Sequence, residues 1–241
     1  MDHPLHRRPS AASPLPAIGP AAEPAPTGGL QHVIKAAFDR LVAVLALPAL
    51  AALALAVMMA VKLDDGGPLF FRQPRLGLHG RRFMIWKFRT MVVDADRHLR
   101  ADGTVIGDRI TRVGRWLRRT SLDEVPQILN ILAGEMSLIG PRPLLPMHEP
   151  RLDARQRGRF LMRPGVTGLA QINGRNELPW SRRLAYDVEY VERFSLALDL
   201  RILAATCAVV LTGRGIVLDR NPEQVDDLPR GEPWENRDAP Q

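Results

Sequence analysis

Two adjacent carboxylates, Asp123 and Glu124, are the first place where this sequence could do chemistry. They lie in the arginine-containing segment Arg118–Gln127. Ser121 and Glu124 match the S-x-x-E pattern of a capping box, which is also typical of an ordinary helix N-terminus. Proline is best placed within the first turn of a helix, so Pro126 predicts that the helix cap is Asp123 or a later residue.

Placement at a helix start would have a chemical consequence for the carboxylates. The positive end of the helix dipole would keep Asp123 ionised. An ionised carboxylate beside arginines can act as a nucleophile or hold a divalent cation. From this segment alone, both the capping and the catalytic interpretations stay open.

Cations held on turns and strands elsewhere in the chain favour the catalytic interpretation. Lys87 and Arg89 are two residues apart in an extended segment, which predicts that they share one side of a strand. Arg142 stands between two prolines, and Arg163 and Arg175 stand near glycines in turn-rich segments. Glycines next to cations allow the backbone to approach a phosphate closely. Each arginine alone is typical of a protein surface, but together they indicate a phosphate-binding site.

Composition leaves several classes of anionic ligand open. The 241 residues carry a formal net charge of +7, and nearly all the basic residues are arginine. Arginine favours bidentate recognition of phosphate or carboxylate, so nucleic acid, anionic lipid and phosphorylated metabolites all fit. The single cysteine, Cys207, excludes an intrachain disulfide and is expected to be a buried small hydrophobe. No P-loop, dinucleotide-binding glycine motif or HExxH motif is present.

An apolar run predicts a membrane-inserted helix ahead of these motifs. Residues 41–61 carry no charged or polar side chain, and such a helix is about 30 Å long, the thickness of the hydrocarbon core. Pro48 removes one backbone hydrogen bond and clashes with the carbonyl of Val44, at a cost of roughly 3 kcal/mol. It therefore predicts a bend from which the helix could return to its starting face. Basic residues flank both ends, which favours a cytoplasmic position for both.

The rest of the chain predicts short elements around the motifs. Residues 69–72 and 83–88 are strand candidates, and 184–194 has the spacing of an amphipathic helix. Residues 202–211 are apolar but too short to span a bilayer, so they predict a core or interfacial helix. The expected divisions are a Pro/Ala-rich tail at 1–30, a membrane helix at 31–62 broken at Pro48, a catalytic domain at 63–218 and a polar tail at 219–241. The predicted fold class is α/β with mostly helical content: a re-entrant N-terminal membrane helix and a compact cytoplasmic catalytic domain with interfacial amphipathic helices.

Six motifs in this order resemble the bacterial sugar transferases, the monotopic polyprenyl-phosphate phosphoglycosyltransferases. They are Phe71-Arg-Gln, Lys87-Phe-Arg-Thr-Met, Thr120-Ser-Leu-Asp-Glu-Val-Pro-Gln, Gly140-Pro-Arg-Pro, Arg163-Pro-Gly-Val-Thr-Gly-Leu-Ala-Gln and Tyr186-Asp-Val-Glu-Tyr. The resemblance covers residues 35–215. Because the chain lacks the large N-terminal membrane region of longer members, it resembles the minimal form of the family. The family's membrane helix is re-entrant and broken at a Ser-Pro step, whereas this chain has Leu47-Pro48.

The resemblance implies transfer of sugar 1-phosphate from a UDP-sugar to undecaprenyl phosphate, with release of UMP. By similarity, Asp123 is the nucleophile and carries a covalent phosphosugar. Glu124 assists as a ligand of the cofactor Mg²⁺ or as a base, and Asp123 also contacts the metal. The phosphates are expected to lie near the matching cations of the family motifs, which are Arg118, Arg142, Arg175, Lys87 and Arg89.

The implied setting is the bacterial inner membrane, with the catalytic domain on the cytoplasmic face. The reaction would begin exopolysaccharide, capsule or glycoconjugate assembly, with membrane lipid and no nucleic acid as partner. A non-enzymatic, membrane-anchored basic protein is an alternative, but acidic residues in the cationic cluster would weaken binding to a phosphate backbone. A single-span protein with a soluble hydrolase domain is a third interpretation, and it would need no lipid acceptor.

Overall fold

Short helices and two small sheets surround the motifs, and one long helix precedes them. The computed structural model describes residues 29–93, 95, 109–174, 177–212 and 226–229. The α-helices are α1 Leu30–Asp65, α2 Arg112–Thr120, α3 Ile128–Leu132, α4 Leu169–Ile172, α5 Trp180–Glu192 and α6 Leu196–Thr212. The strands are β1 Phe70–Leu76, β2 Arg82–Phe88, β3 Ser137–Ile139 and β4 Gly165–Thr167. Short 3₁₀ helices cover Leu78–Gly80, Leu122–Gln127, Pro146–Arg151 and Gln156–Leu161.

The two sheets have two strands each. Strands β1 and β2 are antiparallel, with Phe70 opposite Phe88, and they confirm the strands predicted at 69–72 and 83–88. Strands β3 and β4 are parallel, with Ser137 opposite Gly165. The described residues are mostly helical, which confirms the coarse fold class.

Helix α1 is, in the part of the chain that the structure describes, the one helix long and apolar enough to cross a membrane. Many of its large apolar side chains are exposed, with Leu45 71% and Leu63 82% accessible. An apolar surface of this extent is typical of a lipid or protein contact. The helix ends at Gly66, whose left-handed backbone (φ 71°) lets its N–H bond to the carbonyl of Lys62.

Both ends of α1 are attached to the same body. Near the N-terminal end, Lys35 Nζ donates to Asp199 Oδ2 of α6 at 2.7 Å. Near the C-terminal end, Val57 and Val61 are buried in a cluster with Leu117 of α2. The helix continues without interruption through Pro48. Pro48 therefore does not divide it into two helices.

Helix α6 places one apolar face on the body and exposes the other. Ile202 is fully buried in a cluster with Tyr190. Leu200 is 61% exposed, and Cys207 is exposed. The expected burial of Cys207 is therefore wrong, because this helix is apolar on its outward face as well.

Part of the predicted polar C-terminal tail packs against the body. Leu228 is buried with Leu144 and Leu184, and Asp226 forms a two-contact ion pair with Arg151, with both distances 2.7 Å. Leu228 thus contributes to the core, and the ion pair of Asp226 attaches the segment to the body. The predicted tail at 1–30 lies almost wholly outside the described residues.

Candidate active site

The carboxylate pair lies where α2 turns into a 3₁₀ helix. Ser121 adopts a left-handed backbone (φ 59°) that ends α2 and begins the 3₁₀ helix Leu122–Gln127. Asp123 and Glu124 are in the first turn of this helix. The side chain of Ser121 makes no cap hydrogen bond, so the capping box is not formed. The 3₁₀ helix starts one residue before Asp123 and contains Pro126. The α-helix that follows, α3, has its N-cap at Gln127, which agrees with the expected cap at Asp123 or later, although Pro126 precedes its first turn.

Glu124 joins two predicted phosphate-binding cations. Its Oε1 atom accepts hydrogen bonds from Lys87 Nζ at 2.6 Å and from Arg142 Nη2 at 3.0 Å. Lys87 Nζ also lies 3.6 Å from Asp123 Oδ2. Strand β2 and the Gly140-Pro-Arg-Pro segment therefore converge on the pair, as the sequence predicted for Lys87 and Arg142.

The pKa values of the two carboxylates are shifted in opposite directions. Burial raises the pKa of Asp123, although Lys87 and the arginines act against this. Burial also acts to raise the pKa of Glu124, but Lys87 and Arg142 outweigh it and hold that pKa far below its usual range. Adjacent groups with separated pKa values are typical of sites that divide roles between two carboxylates. Burial, rather than a helix dipole, is thus the largest influence on Asp123.

Arg118 reaches the site from the last turn of α2. Its Nε donates to Thr90 Oγ1 at 2.9 Å. Gly114 allows this approach, since a Cβ atom there would lie 2.1 Å from the carbonyl oxygen of Thr90. The electrostatic influence of Arg118 extends to Asp123.

The guanidinium of Arg89 forms an ion pair at the end of α1. Its guanidinium forms a two-contact ion pair with Asp65 at the end of α1 and also donates to the carbonyl of Met91 at 3.1 Å. Strand β2 ends at Phe88, yet Arg89 and Lys87 line the same cavity. The ion pair attaches Arg89 to the end of α1, and its predicted phosphate-binding role stays a prediction.

Two buried residues that the sequence reasoning did not single out hold the backbone of Arg142. Arg159 Nη2 donates to the carbonyl of Arg142 and pairs with Asp187 Oδ2 at 2.8 Å. The backbone of Arg142 acts to lower the pKa of Asp187. Burial raises the pKa of Asp187 to about 6, against the influence of Arg159. The signal available in the sequence was the position of Asp187 in the Tyr186-Asp-Val-Glu-Tyr motif.

Arg75 of β1 is a further residue of the site that the sequence reasoning did not single out. Its Nη1 donates to the carbonyl of Pro143 at 3.2 Å, and burial together with Arg142 lowers its pKa to about 10. Arg75 lies beyond the strand candidate at 69–72 and outside the six family motifs, so the features that marked the other arginines were missing.

The charged residues of the site surround a cavity of about 880 Å³, which we call the polar cavity. Asp123, Glu124, Lys87, Arg118 and Arg142 all line it. A volume of this size suits a nucleotide-sized ligand, since small-molecule sites span roughly 300–1,000 Å³. Arg175 lies outside the described residues, so its predicted role stays a prediction.

The carboxylate pair fits the donor set of Mg²⁺. Mg²⁺ in phosphate-handling sites takes one or two carboxylates, with substrate phosphates and water as the other ligands. Both cation contacts of Glu124 use Oε1, so Oε2 and the carboxylate of Asp123 are the oxygens that would contact a metal. Among the described residues there is no cluster of three metal-ligating side chains, so substrate oxygens would have to complete the coordination.

A long apolar helix thus precedes a cavity lined by cations and a pair of carboxylates. The sequence profile of the bacterial sugar transferases matches residues 30–213. The chain therefore belongs to the bacterial sugar transferase family and is an enzyme.

Three relatives are similar over most of this chain. It is 45% identical over 188 residues to the UDP-glucose:undecaprenyl-phosphate glucose-1-phosphate transferase of Xanthomonas campestris pv. campestris, covering 74% of this chain and 39% of the relative. It is 42% identical to the exopolysaccharide production protein ExoY of Sinorhizobium fredii, covering 79% and 89%. It is also 42% identical to the sugar transferase EpsL of Bacillus subtilis, covering 76% and 90%. The match to the Xanthomonas enzyme thus involves less than half of that longer protein.

Proposed function

We propose that this protein transfers sugar 1-phosphate from a UDP-sugar to undecaprenyl phosphate, releasing UMP, as an early membrane step of exopolysaccharide or glycoconjugate assembly. The observation that carries the proposal is the convergence of Lys87, Arg118 and Arg142 on the pair Asp123–Glu124 in one polar cavity. The relatives support it, since their names include sugar-1-phosphate transfer to undecaprenyl phosphate and exopolysaccharide production.

In the first step, a carboxylate oxygen of Asp123 attacks the phosphorus that bears the sugar. The bond from that phosphorus to the bridging oxygen breaks, and UMP leaves with this oxygen and the electron pair. The sugar phosphate is then linked to Asp123 as an acyl phosphate. The cations of the cavity stabilise the charge that spreads over the phosphate oxygens in the transition state.

In the second step, a phosphate oxygen of undecaprenyl phosphate attacks the same phosphorus. A diphosphate bond forms, and the Asp123 carboxylate is released. Atoms and charge balance without an oxidant or another co-reactant.

Glu124 has a positioning role in this mechanism. A carboxylate that holds Lys87 at 2.6 Å and Arg142 at 3.0 Å fixes both cations beside the reacting phosphate. The same contacts keep its pKa far below the usual range, which makes it a weak base. We therefore favour an electrostatic and metal-binding role for Glu124 over general base catalysis.

Mg²⁺ would be held by Asp123 and Glu124 together with substrate oxygens. When bound, it would neutralise phosphate charge and polarise the phosphoryl group.

The two attachments of α1 support a re-entrant membrane arrangement. A helix that crosses the bilayer carries one end to the side opposite the catalytic body. Here Lys35 and Val61, near opposite ends, both contact that body. This favours a helix that enters the inner membrane from the cytoplasmic face and returns to it, with Pro48 at the bend.

Release of UMP is the direct test. Detergent-solubilised protein is incubated with Mg²⁺, undecaprenyl phosphate and a panel of UDP-sugars. We expect steady UMP release with at least one UDP-sugar, and release limited to about one equivalent per enzyme when the acceptor is omitted. Steady release without acceptor would indicate a hydrolase instead, and no release with any UDP-sugar would refute the proposal.

A further inference from the structure

A second cavity meets the polar one at the carboxylate pair. It has a volume of about 220 Å³ and lies between α1, α3 and α6. Three residues, Ser121, Glu124 and Gln171, line both cavities. The reaction centre is therefore approached from two sides.

The walls of the second cavity are apolar. Helix α1 contributes Val42, Ala46 and Leu50, and α6 contributes Val209. The hydroxyls of Thr167 and Thr206, which also line the cavity, bond to each other at 2.7 Å. Because these hydroxyls already have hydrogen-bond partners within the protein, they do not make the cavity a polar site.

The junction of the two cavities contains an unsatisfied amide. Gln171 is 5% exposed, and neither its Nε2 nor its Oε1 has a hydrogen-bond partner among the described residues. An unpaired buried amide costs roughly 1–3 kcal/mol, so it is retained where a ligand completes its bonding. Its position beside Glu124 indicates a polar ligand group at the point where the apolar cavity ends.

We propose that the apolar cavity binds the isoprenoid units next to the phosphate of the lipid acceptor, and that the Gln171 amide donates to that phosphate. This rests on the proposed function and specifies where the acceptor of that reaction enters. The occupant must be apolar along its length and polar at one end, and a polyprenyl phosphate has this form. The apolar surface of α1 continues from the cavity walls into the lipid-facing side chains, such as Leu45 at 71% exposure.

The size of the cavity agrees with this occupant. An apolar cavity of about 150 Å³ holds benzene, with six carbons. By proportion, 220 Å³ holds roughly nine carbons, close to two isoprene units. The remainder of the chain would lie in the bilayer along α1.

Separate entrances also fit the order of the two reaction steps. The UDP-sugar occupies the polar cavity and leaves its sugar phosphate on Asp123. The acceptor then enters past Gln171, and its phosphate oxygen takes the position opposite Asp123 that the UMP oxygen has vacated, because attack at phosphorus is in line with the leaving group. Filling the apolar cavity should therefore impair the second step alone.

The substitution Ala46→Leu fills the cavity from α1, and Ala52→Leu is its matched control, because Ala52 is on the same helix but exposed. Each variant is measured in two assays: the UMP burst without acceptor, and steady turnover with undecaprenyl phosphate. For Ala46→Leu we expect an unchanged burst and turnover at least about tenfold slower. For Ala52→Leu we expect wild-type values in both assays.

Wild-type turnover in Ala46→Leu would overturn the proposal. Loss of the burst in a folded Ala46→Leu would also overturn it, because the cavity would then serve the donor. If the wild type releases no UMP from any UDP-sugar, the proposed function fails first.

Photo-crosslinking of the wild-type protein tests the site without relying on activity or on a variant's folding. The probe is an undecaprenyl phosphate analogue with a diazirine on its first isoprene unit. We expect labelled peptides from residues 42–50 of α1 and 206–209 of α6, competed by undecaprenyl phosphate and not by undecane. Labelling confined to other segments would refute the inference.

The Gln171 contact is tested by Gln171→Leu against Gln171→Glu. Leu removes the donor, and Glu places a negative charge beside the acceptor phosphate. We expect a higher KM for undecaprenyl phosphate in both variants, larger for Glu. An unchanged KM in both would remove Gln171 from the acceptor site.

Discussion

Replacement of Lys87 by methionine tests what keeps Asp123 available as a nucleophile. Lys87 Nζ lies 3.6 Å from Asp123 Oδ2. Burial raises the pKa of Asp123, and Lys87 is the strongest influence that opposes it. Methionine preserves the apolar stem and removes the charge. The pKa of Asp123 should therefore rise further in Lys87→Met.

The expected size of the change follows from the distance. Opposite charges about 4 Å apart interact by about 4 kcal/mol at an effective dielectric constant of 20, and one pKa unit corresponds to about 1.4 kcal/mol. Single opposite charges generally shift a carboxyl pKa by about 1–3 units, and this is the rise that we expect. Asp123 loses its charge as the pH falls through its pKa. The acid side of the pH–rate profile should thus move to higher pH by the same amount.

The assay is the rate of the UMP burst without acceptor, measured between about pH 5 and pH 9. Lys87→Arg keeps the charge and serves as the control, with an acid limb close to that of the wild type. An acid limb at the same pH in Lys87→Met and in the wild type would refute the electrostatic role of Lys87.

Four further variants test other parts of the account. Arg142→Ala should slow the UMP burst at least about tenfold in a folded protein, and we expect the same of Arg175→Ala; a wild-type burst rate would remove the residue concerned from the site. Pro48→Ala should restore the missing helical hydrogen bond and favour a spanning helix, so that cysteines at the N-terminal end of α1, in a background without the native cysteine, become accessible to periplasmic reagents; unchanged cytoplasmic labelling would contradict this. Asp187→Asn should lower the free energy of unfolding by about 3–5 kcal/mol because it leaves the guanidinium of Arg159 buried without its partner, and an unchanged thermal midpoint would show that this ion pair does not stabilise the fold.

The sequence predicted the elements whose patterns are local. The apolar run of α1 and the two strands on either side of Leu78–Gly80 were recognisable because their periodicity or composition is set by neighbouring residues. The sequence predicted Lys87 and Arg142 as phosphate-binding residues near the carboxylate pair, but it did not predict their direct contacts with Glu124. Their separation in the chain, with strand β2 and the Gly140-Pro-Arg-Pro segment far apart, left the contacts themselves to tertiary packing.

The errors come from features that are set by packing rather than by pattern. The ion pair between Arg89 and Asp65, a residue at the end of a different element, could not be foreseen from the family motif. Cys207 has apolar neighbours in the sequence, which suggested burial, but it lies on the exposed face of α6. The pKa of Asp123 depends on burial by residues from several elements, and a helix-dipole argument from its own segment could not include that.

A covalent phosphosugar on Asp123 is the central claim, and mass spectrometry tests it most directly. The protein is incubated with Mg²⁺ and its UDP-sugar in the absence of lipid acceptor, quenched and digested. Asp123→Asn keeps the shape but removes the nucleophile, and it should fold, show no adduct and release no UMP. We predict that the wild-type peptide containing Asp123 gains the mass of one sugar phosphate on that residue, and that undecaprenyl phosphate removes it. An adduct on Glu124, or full activity in Asp123→Asn, would contradict the mechanism.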